Sequence, residues 1–155
     1  MKAIYWDMDG TIANLYGVEG WLEAIESSQV YPYLVAEPMC DMTELKAVLC
    51  QLKENGYRMG VITWLSKSGT EEYNRRTRAA KRMWLEVHGL WELMDEVHMV
   101  RYGTPKHSTT RLYQGILVDD NKKVREEWER HGGTTIDPTT TDIIKALNRL
   151  MKGEI

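Results

Sequence analysis

Two aspartates stand two residues apart in Asp7-Met8-Asp9-Gly10-Thr11, directly after the mostly apolar stretch Met1-Lys2-Ala3-Ile4-Tyr5-Trp6. That stretch is rich in strand formers and too short for an amphipathic helix, which predicts a buried strand with the carboxylates at its C-terminal tip. Carboxylates so placed can hold a hard divalent cation, and one of them can attack phosphorus. The plain alternative is an Asp-Gly turn at a strand end. The rest of the chain decides between the two.

Three further predicted strands also lead to reactive residues. Met59-Gly60-Val61-Ile62-Thr63 delivers Thr63, and Glu96-Val97-His98-Met99-Val100 leads into Gly103-Thr104-Pro105-Lys106-His107. Gly115-Ile116-Leu117-Val118 ends in Asp119-Asp120. Taken singly, Thr63 is a strand-end threonine and Lys106 a solvated loop lysine, while Asp119-Asp120-Asn121 caps the next helix. Taken together, all four sets lie at one edge of a parallel sheet, where ligands of open α/β sheets bind.

The elements between these tips have helical patterns. Residues 17–27 predict a short helix with Trp21, Leu22 and Ile25 on one side, and residues 28–40 are irregular, with Pro32 and Pro38 as breakers. Asp41 or Thr43 can cap a helix to about Asn55, built on Leu45, Val48, Leu49 and Leu52 and stopped by Gly56. Residues 70–88 form a long amphipathic helix with Tyr73, Thr77, Ala80, Trp84 and Val87 inward. Helix 121–131, strand 134–136 and helix 141–151 complete the chain. Alternating strands and helices imply an α/β fold. It is a doubly wound, Rossmann-like parallel sheet of about five strands. A single domain spans residues 1–155, with a short helical cap inserted at about 13–42.

Composition sets the outer limits. The 155 residues suit one domain with one core, and 43% apolar with 28% charged residues is ordinary for a globular protein. A net charge of −3 argues against general affinity for nucleic acid without excluding a local basic groove. Cys40 and Cys50 have no metal-ligand spacing, and Cys50 reads as a small core residue. His88, His98, His107 and His131 contain no i, i+4 pair. No leader-like segment precedes the first strand and no apolar run reaches membrane-spanning length, so a cytoplasmic protein with no membrane partner is expected.

The four motifs, in this order, resemble the haloacid dehalogenase superfamily, whose members are mostly Mg²⁺-dependent phosphatases. The resemblance runs from Ile4 to about Ile136 and implies a role for each position. Mg²⁺ is held by Asp7, the backbone carbonyl of Asp9 and Asp119. Asp7 is the nucleophile and forms an aspartyl-phosphate, and Asp9 is the proton donor and acceptor. Gly10, Thr11, Thr63, Trp64, Lys67 and Lys106 contact the phosphate, with Gly10 turning the chain so that backbone N–H groups face it. Lys106 offsets the local negative charge, although Lys122 or Lys123 could take that part. Asp120 supports the metal or orients Lys106.

On substrate, Asp7 through Leu15, Thr63-Trp64-Leu65-Ser66-Lys67 and Lys81 through Gly89 are similar to 5′(3′)-deoxyribonucleotidases. Asn14 stands where that group has an aspartate, and the cap is smaller here. Ser68-Gly69-Thr70-Glu71 with Tyr73, Arg75, Thr77, Arg78 and Trp84 resembles the phosphatase domain of phage polynucleotide kinases. Phosphomonoester hydrolysis of mononucleotides is therefore expected, with 3′-end dephosphorylation of nucleic acid as the alternative and a non-catalytic binding protein as a third reading. Arg75, Arg78 and Arg82 could follow a polynucleotide backbone or form a solvated face paired with Glu71 and Glu72. Trp21, Tyr31 and Tyr33 could stack on a base or pack the cap. Oligomeric state is not legible.

Overall fold

The computed structural model describes residues 2–67 and 69–154, so the part of the Ser68-Gly69-Thr70-Glu71 motif at Ser68 lies outside the described residues. Five parallel strands form the central sheet. They are β1 (Lys2–Trp6), β4 (Tyr57–Trp64), β5 (Glu96–Val100), β6 (Ile116–Val118) and β7 (Thr134–Ile136). A short antiparallel ribbon joins β2 (Ala13–Asn14) to β3 (Glu37–Pro38). The sheet order is β5-β4-β1-β6-β7. The chain leaves β1 toward β5 on one side and later returns to β6 on the other, so the strand order reverses at the tip of β1. A crevice opens at such a reversal.

Alternation along β1 feeds two cores, because successive strand side chains point to opposite faces. Ile4 and Trp6 join Met59, Val61 and Val118 beneath α3 (Met42–Glu54), α4 (Glu71–Val87) and α6 (Ile143–Met151). Ala3 and Tyr5 join Ile62, Leu117, Val124 and Trp128 beneath α5 (Lys122–Arg130). Burial on both faces is what parallel sheets require. Tyr5 pairs with Gly60 in register, and a Cβ at Gly60 would lie 2.7 Å from the Tyr5 ring. The tyrosine thus fits only because its neighbour has no side chain.

The helix starts follow their caps. Asp41 accepts from the Glu44 N–H, Thr70 from Tyr73, Asn121 from Lys123 and Val124, and Asp142 from Lys145. Four expectations change in detail. The predicted helix 17–27 is a 3-10 turn at Leu15–Gly17 followed by α1 (Trp21–Glu26), because Gly20 at φ +71° breaks the run. Pro32 does not prevent a helix but sits in the first turn of α2 (Tyr31–Val35), where no N–H is needed. Val87 is 75% exposed, and the buried face of α4 instead includes Lys81 and Leu85. Cys50 is exposed rather than in the core. No helix among the described residues is long and apolar enough to cross a membrane.

Candidate active site

The tips of β1 and β6 bring three carboxylates together. Asp7, Asp119 and Asp120 each present an oxygen within 4.8 Å of the others. One cation joins two of them: the Lys106 ammonium donates to Asp7 Oδ1 at 2.8 Å and to Asp119 Oδ2 at 2.7 Å. Lys106 is only 4% exposed, held in a 3-10 turn whose His107 ring stacks on His131 after α5, with centroids 3.5 Å apart. Lys122 and Lys123 lie exposed on α5, so neither takes its place. Asp119 also accepts the Asn121 N–H at Oδ1, 2.8 Å. Asp120 does not touch Lys106, contrary to one expected role; it pairs with the Thr11 hydroxyl at 3.3 Å.

Electrostatics follow from this crowding. Burial, and then the negative charge of Asp7, push the Asp119 carboxyl up to about 6 against the pull of Lys106. Burial and Asp7 likewise push Asp120 up to about 7. Burial works against the Lys106 charge, yet Asp7 and Asp119 together hold its pKa above the usual lysine value. A hard, oxygen-rich, buried set of this kind fits Mg²⁺ by its donor chemistry.

The turn after β1 is shaped differently from the expectation. Gly10 has φ +80°, and a Cβ there would lie 2.8 Å from the Tyr16 ring, so glycine is required. Its N–H, however, donates to the Ala13 carbonyl, and the Thr11 N–H donates to Met8. Neither is free for a phosphate. Thr11 acts through its hydroxyl, which lies 3.3 Å from Asp7 Oδ2 as well as from Asp120.

Asp9 stands outside the carboxylate cluster. Its Oδ2 accepts from the Lys81 ammonium at 2.8 Å, and burial raises its pKa although Lys81 pulls the other way. Lys81 also donates to Thr63 Oγ1 at 2.7 Å and to the Trp64 carbonyl at 2.8 Å. Thr63 is thus fully buried against Lys81 and does not line the cleft, which corrects its expected place at the phosphate. The sequence reading did not single out Lys81. Its signal was present: Tyr73, Thr77, Lys81 and Leu85 recur every four residues, which puts a lysine on a buried face.

The cleft above these groups has a volume of about 450 Å³. Tyr16 and Trp21, packed edge to face at 4.9 Å, come from the segment between β1 and α3. Trp64, the last residue of β4, and Tyr102, in the loop after β5, are also 4.9 Å apart. The Trp64 indole N–H is taken by the Thr104 carbonyl, so it offers a ring face and not a donor. Lys67 reaches the cleft and lies 5.9 Å from the Tyr102 ring centroid. Tyr33 lines the cleft, whereas Tyr31 does not. Of the α4 arginines, Arg75 is paired with Glu72 and Arg82 with Glu86, both at 2.7 Å. Arg78 donates to the Met99 carbonyl at 3.4 Å.

No protein-family model matches the chain, and no curated protein matches it in sequence. Solved structures do match. A haloacid dehalogenase-like hydrolase family protein from Streptococcus pneumoniae superposes with TM-score 0.58 at 13% identity, covering 88% of this chain and 84% of that one. A protein from Corynebacterium glutamicum gives 0.52 at 15% identity over 99% and 94%. A protein from Listeria monocytogenes serotype 4b gives 0.56 at 14% over 98% and 99%. The chain is built on the haloacid dehalogenase-like α/β fold.

Proposed function

We propose that the chain is a Mg²⁺-dependent phosphomonoester hydrolase acting on mononucleotides. The observation that carries this reading is the unlike surroundings of two aspartates on one turn. Asp7 belongs to a carboxylate cluster bridged by Lys106, while Asp9 stands apart on Lys81 with its pKa raised. Two acids held in different environments are what a nucleophile and a proton donor need.

Asp7, Asp119 and Asp120 hold the cation, with Asp120 joining the set expected from the sequence. Bound Mg²⁺ supplies positive charge beside the phosphoryl oxygens. Lys106 orients Asp7 and offsets local negative charge while two negative groups approach each other. An Asp7 oxygen attacks phosphorus and the ester oxygen leaves with a proton from Asp9, giving an aspartyl-phosphate and an alcohol. Asp9 then takes a proton from water, whose oxygen attacks the same phosphorus and restores Asp7. The two aromatic pairs support a substrate with a flat ring, one from the cap that residues 13–42 form and one from the end of β4 and the loop after β5. The arginines of α4 lend little support to a polynucleotide, since Arg75 and Arg82 are held by acidic partners.

The test is phosphate release, with and without Mg²⁺, from 5′- and 3′-mononucleotides, sugar phosphates and a 3′-phosphorylated oligonucleotide. Mg²⁺-dependent release from mononucleotides, lost in Asp7→Asn, is expected. Equal rates for wild type and Asp7→Asn would leave only a binding protein, and preference for the oligonucleotide would move the substrate to nucleic-acid ends.

A further inference from the structure

Lys81 is 1% exposed, comes from α4, and does not line the cleft. An ammonium has three hydrogens to give. Here all three are engaged, by Asp9 Oδ2, Thr63 Oγ1 and the Trp64 carbonyl, at 2.7–2.8 Å. None is left for a substrate, so Lys81 is not a phosphate ligand. Two of its three partners, Thr63 and Trp64, are fixed in β4, which leaves the Asp9 carboxylate as the group it holds.

We infer that Lys81 is the positioning residue of Asp9, clamping Oδ2 from behind so that Oδ1 alone carries the proton delivered to the leaving oxygen. An oxygen that accepts from an ammonium retains the anionic character of the carboxylate, and a proton placed on it would confront the ammonium hydrogen. Asp9 lines the cleft, and its Oδ1 has no hydrogen-bond partner among the described residues. The proton therefore sits on the side that faces substrate. A rotation of this carboxylate would exchange the two oxygens, and Lys81 is the only described side chain that prevents it. This role rests on the reading of Asp9 as acid and base, and it adds the group that makes one oxygen of Asp9 the working one.

The test compares two esters whose leaving groups differ in their need for a proton. A mononucleotide releases a poorly acidic alcohol, whereas p-nitrophenyl phosphate releases an anion stable without protonation. kcat/KM reports the steps up to the aspartyl-phosphate. In Lys81→Met it should fall by about 10² to 10³-fold on the mononucleotide, the usual weight of general acid catalysis, and by less than about tenfold on p-nitrophenyl phosphate. A structural defect would lower both alike. Should Lys81→Met fail to fold, Lys81→Arg is compared in the same way, because its planar fork cannot reproduce the three-way ammonium contact. Equal losses on the two esters, or none, would overturn the role of Lys81 and leave the phosphatase intact. Wild-type protein that hydrolyses neither ester with Mg²⁺ would overturn the phosphatase reading and this role with it.

Discussion

Replacing Lys106 with methionine should make the stability of the metal-free protein depend more steeply on pH. Lys106 lies between Asp7 and Asp119 with contacts of 2.8 and 2.7 Å and almost no solvent contact. Removing one member of a buried ionic group costs about 3–5 kcal/mol, because the remaining charges keep their desolvation penalty without their partner. For a chain of this size that is a fall in Tm of about 6–20 °C. Protonation can relieve the loss. Asp119 at about 6 and Asp120 at about 7 already bind protons more tightly in the folded state than in the unfolded chain. A raised carboxyl contributes stability that is complete below its unfolded value near 4 and is lost as pH rises through its folded value. Wild-type protein without metal should therefore lose stability between about pH 4 and 7. With Asp120 discounted for its partial solvent contact, the two groups together are worth about 3–5 kcal/mol. Lys106→Met should deepen this loss, since the cation that holds Asp119 down is gone. Thermal unfolding in EDTA at pH 5 and pH 8 measures it, and Mg²⁺ should restore more of the Tm at pH 8 than at pH 5. An equal Tm for variant and wild type at pH 8, or a deficit the same at both pH values, would refute the electrostatic account of the cluster.

Asp9→Asn should lower turnover by about 10² to 10⁴-fold while Mg²⁺ binding, followed by calorimetry, stays within a few-fold of wild type, because its carboxylate lies outside the cluster. Loss of metal binding would show that the roles of Asp7 and Asp9 are misassigned. Gly10→Ala should cost about 1–3 kcal/mol in chemical denaturation, through a left-handed backbone and a collision with Asp120 and the Tyr16 ring. An unchanged denaturation midpoint would mean that the turn relaxes. Trp21→Ala should raise the mononucleotide KM by about 5- to 100-fold with kcat nearly constant, the weight of one base stack. An unaltered KM would place the base elsewhere in the cleft.

What was legible in the sequence follows the reach of local rules. Alternation and short apolar runs placed β1 and β4 through β7 within a few residues, and Asp41 and Asn121 marked helix starts because a cap acts on its own first turn. The segment between β1 and α3 was harder to read. Gly20 and Pro32 have opposite effects depending on whether they fall before a helix, inside it or in its first turn, and one residue of offset changes the outcome.

The convergence of Asp7, Lys106 and Asp119 was expected from strand order, since parallel strands deliver their C-terminal residues to one edge. What the sequence by itself determined was therefore the fold class, the edge that carries chemistry and the residue types gathered there. Only the tertiary structure decided which hydrogen each group gives and to whom. Thr63 turned inward to Lys81, Gly10 and Thr11 turned their N–H groups into their own loop, and Asp120 met Thr11 instead of Lys106. Those choices depend on a few ångströms of packing between α4, β4 and the turn after β1. Sequence spacing fixes which element a residue is on, but the partner of a buried charge is fixed only when the elements close around it.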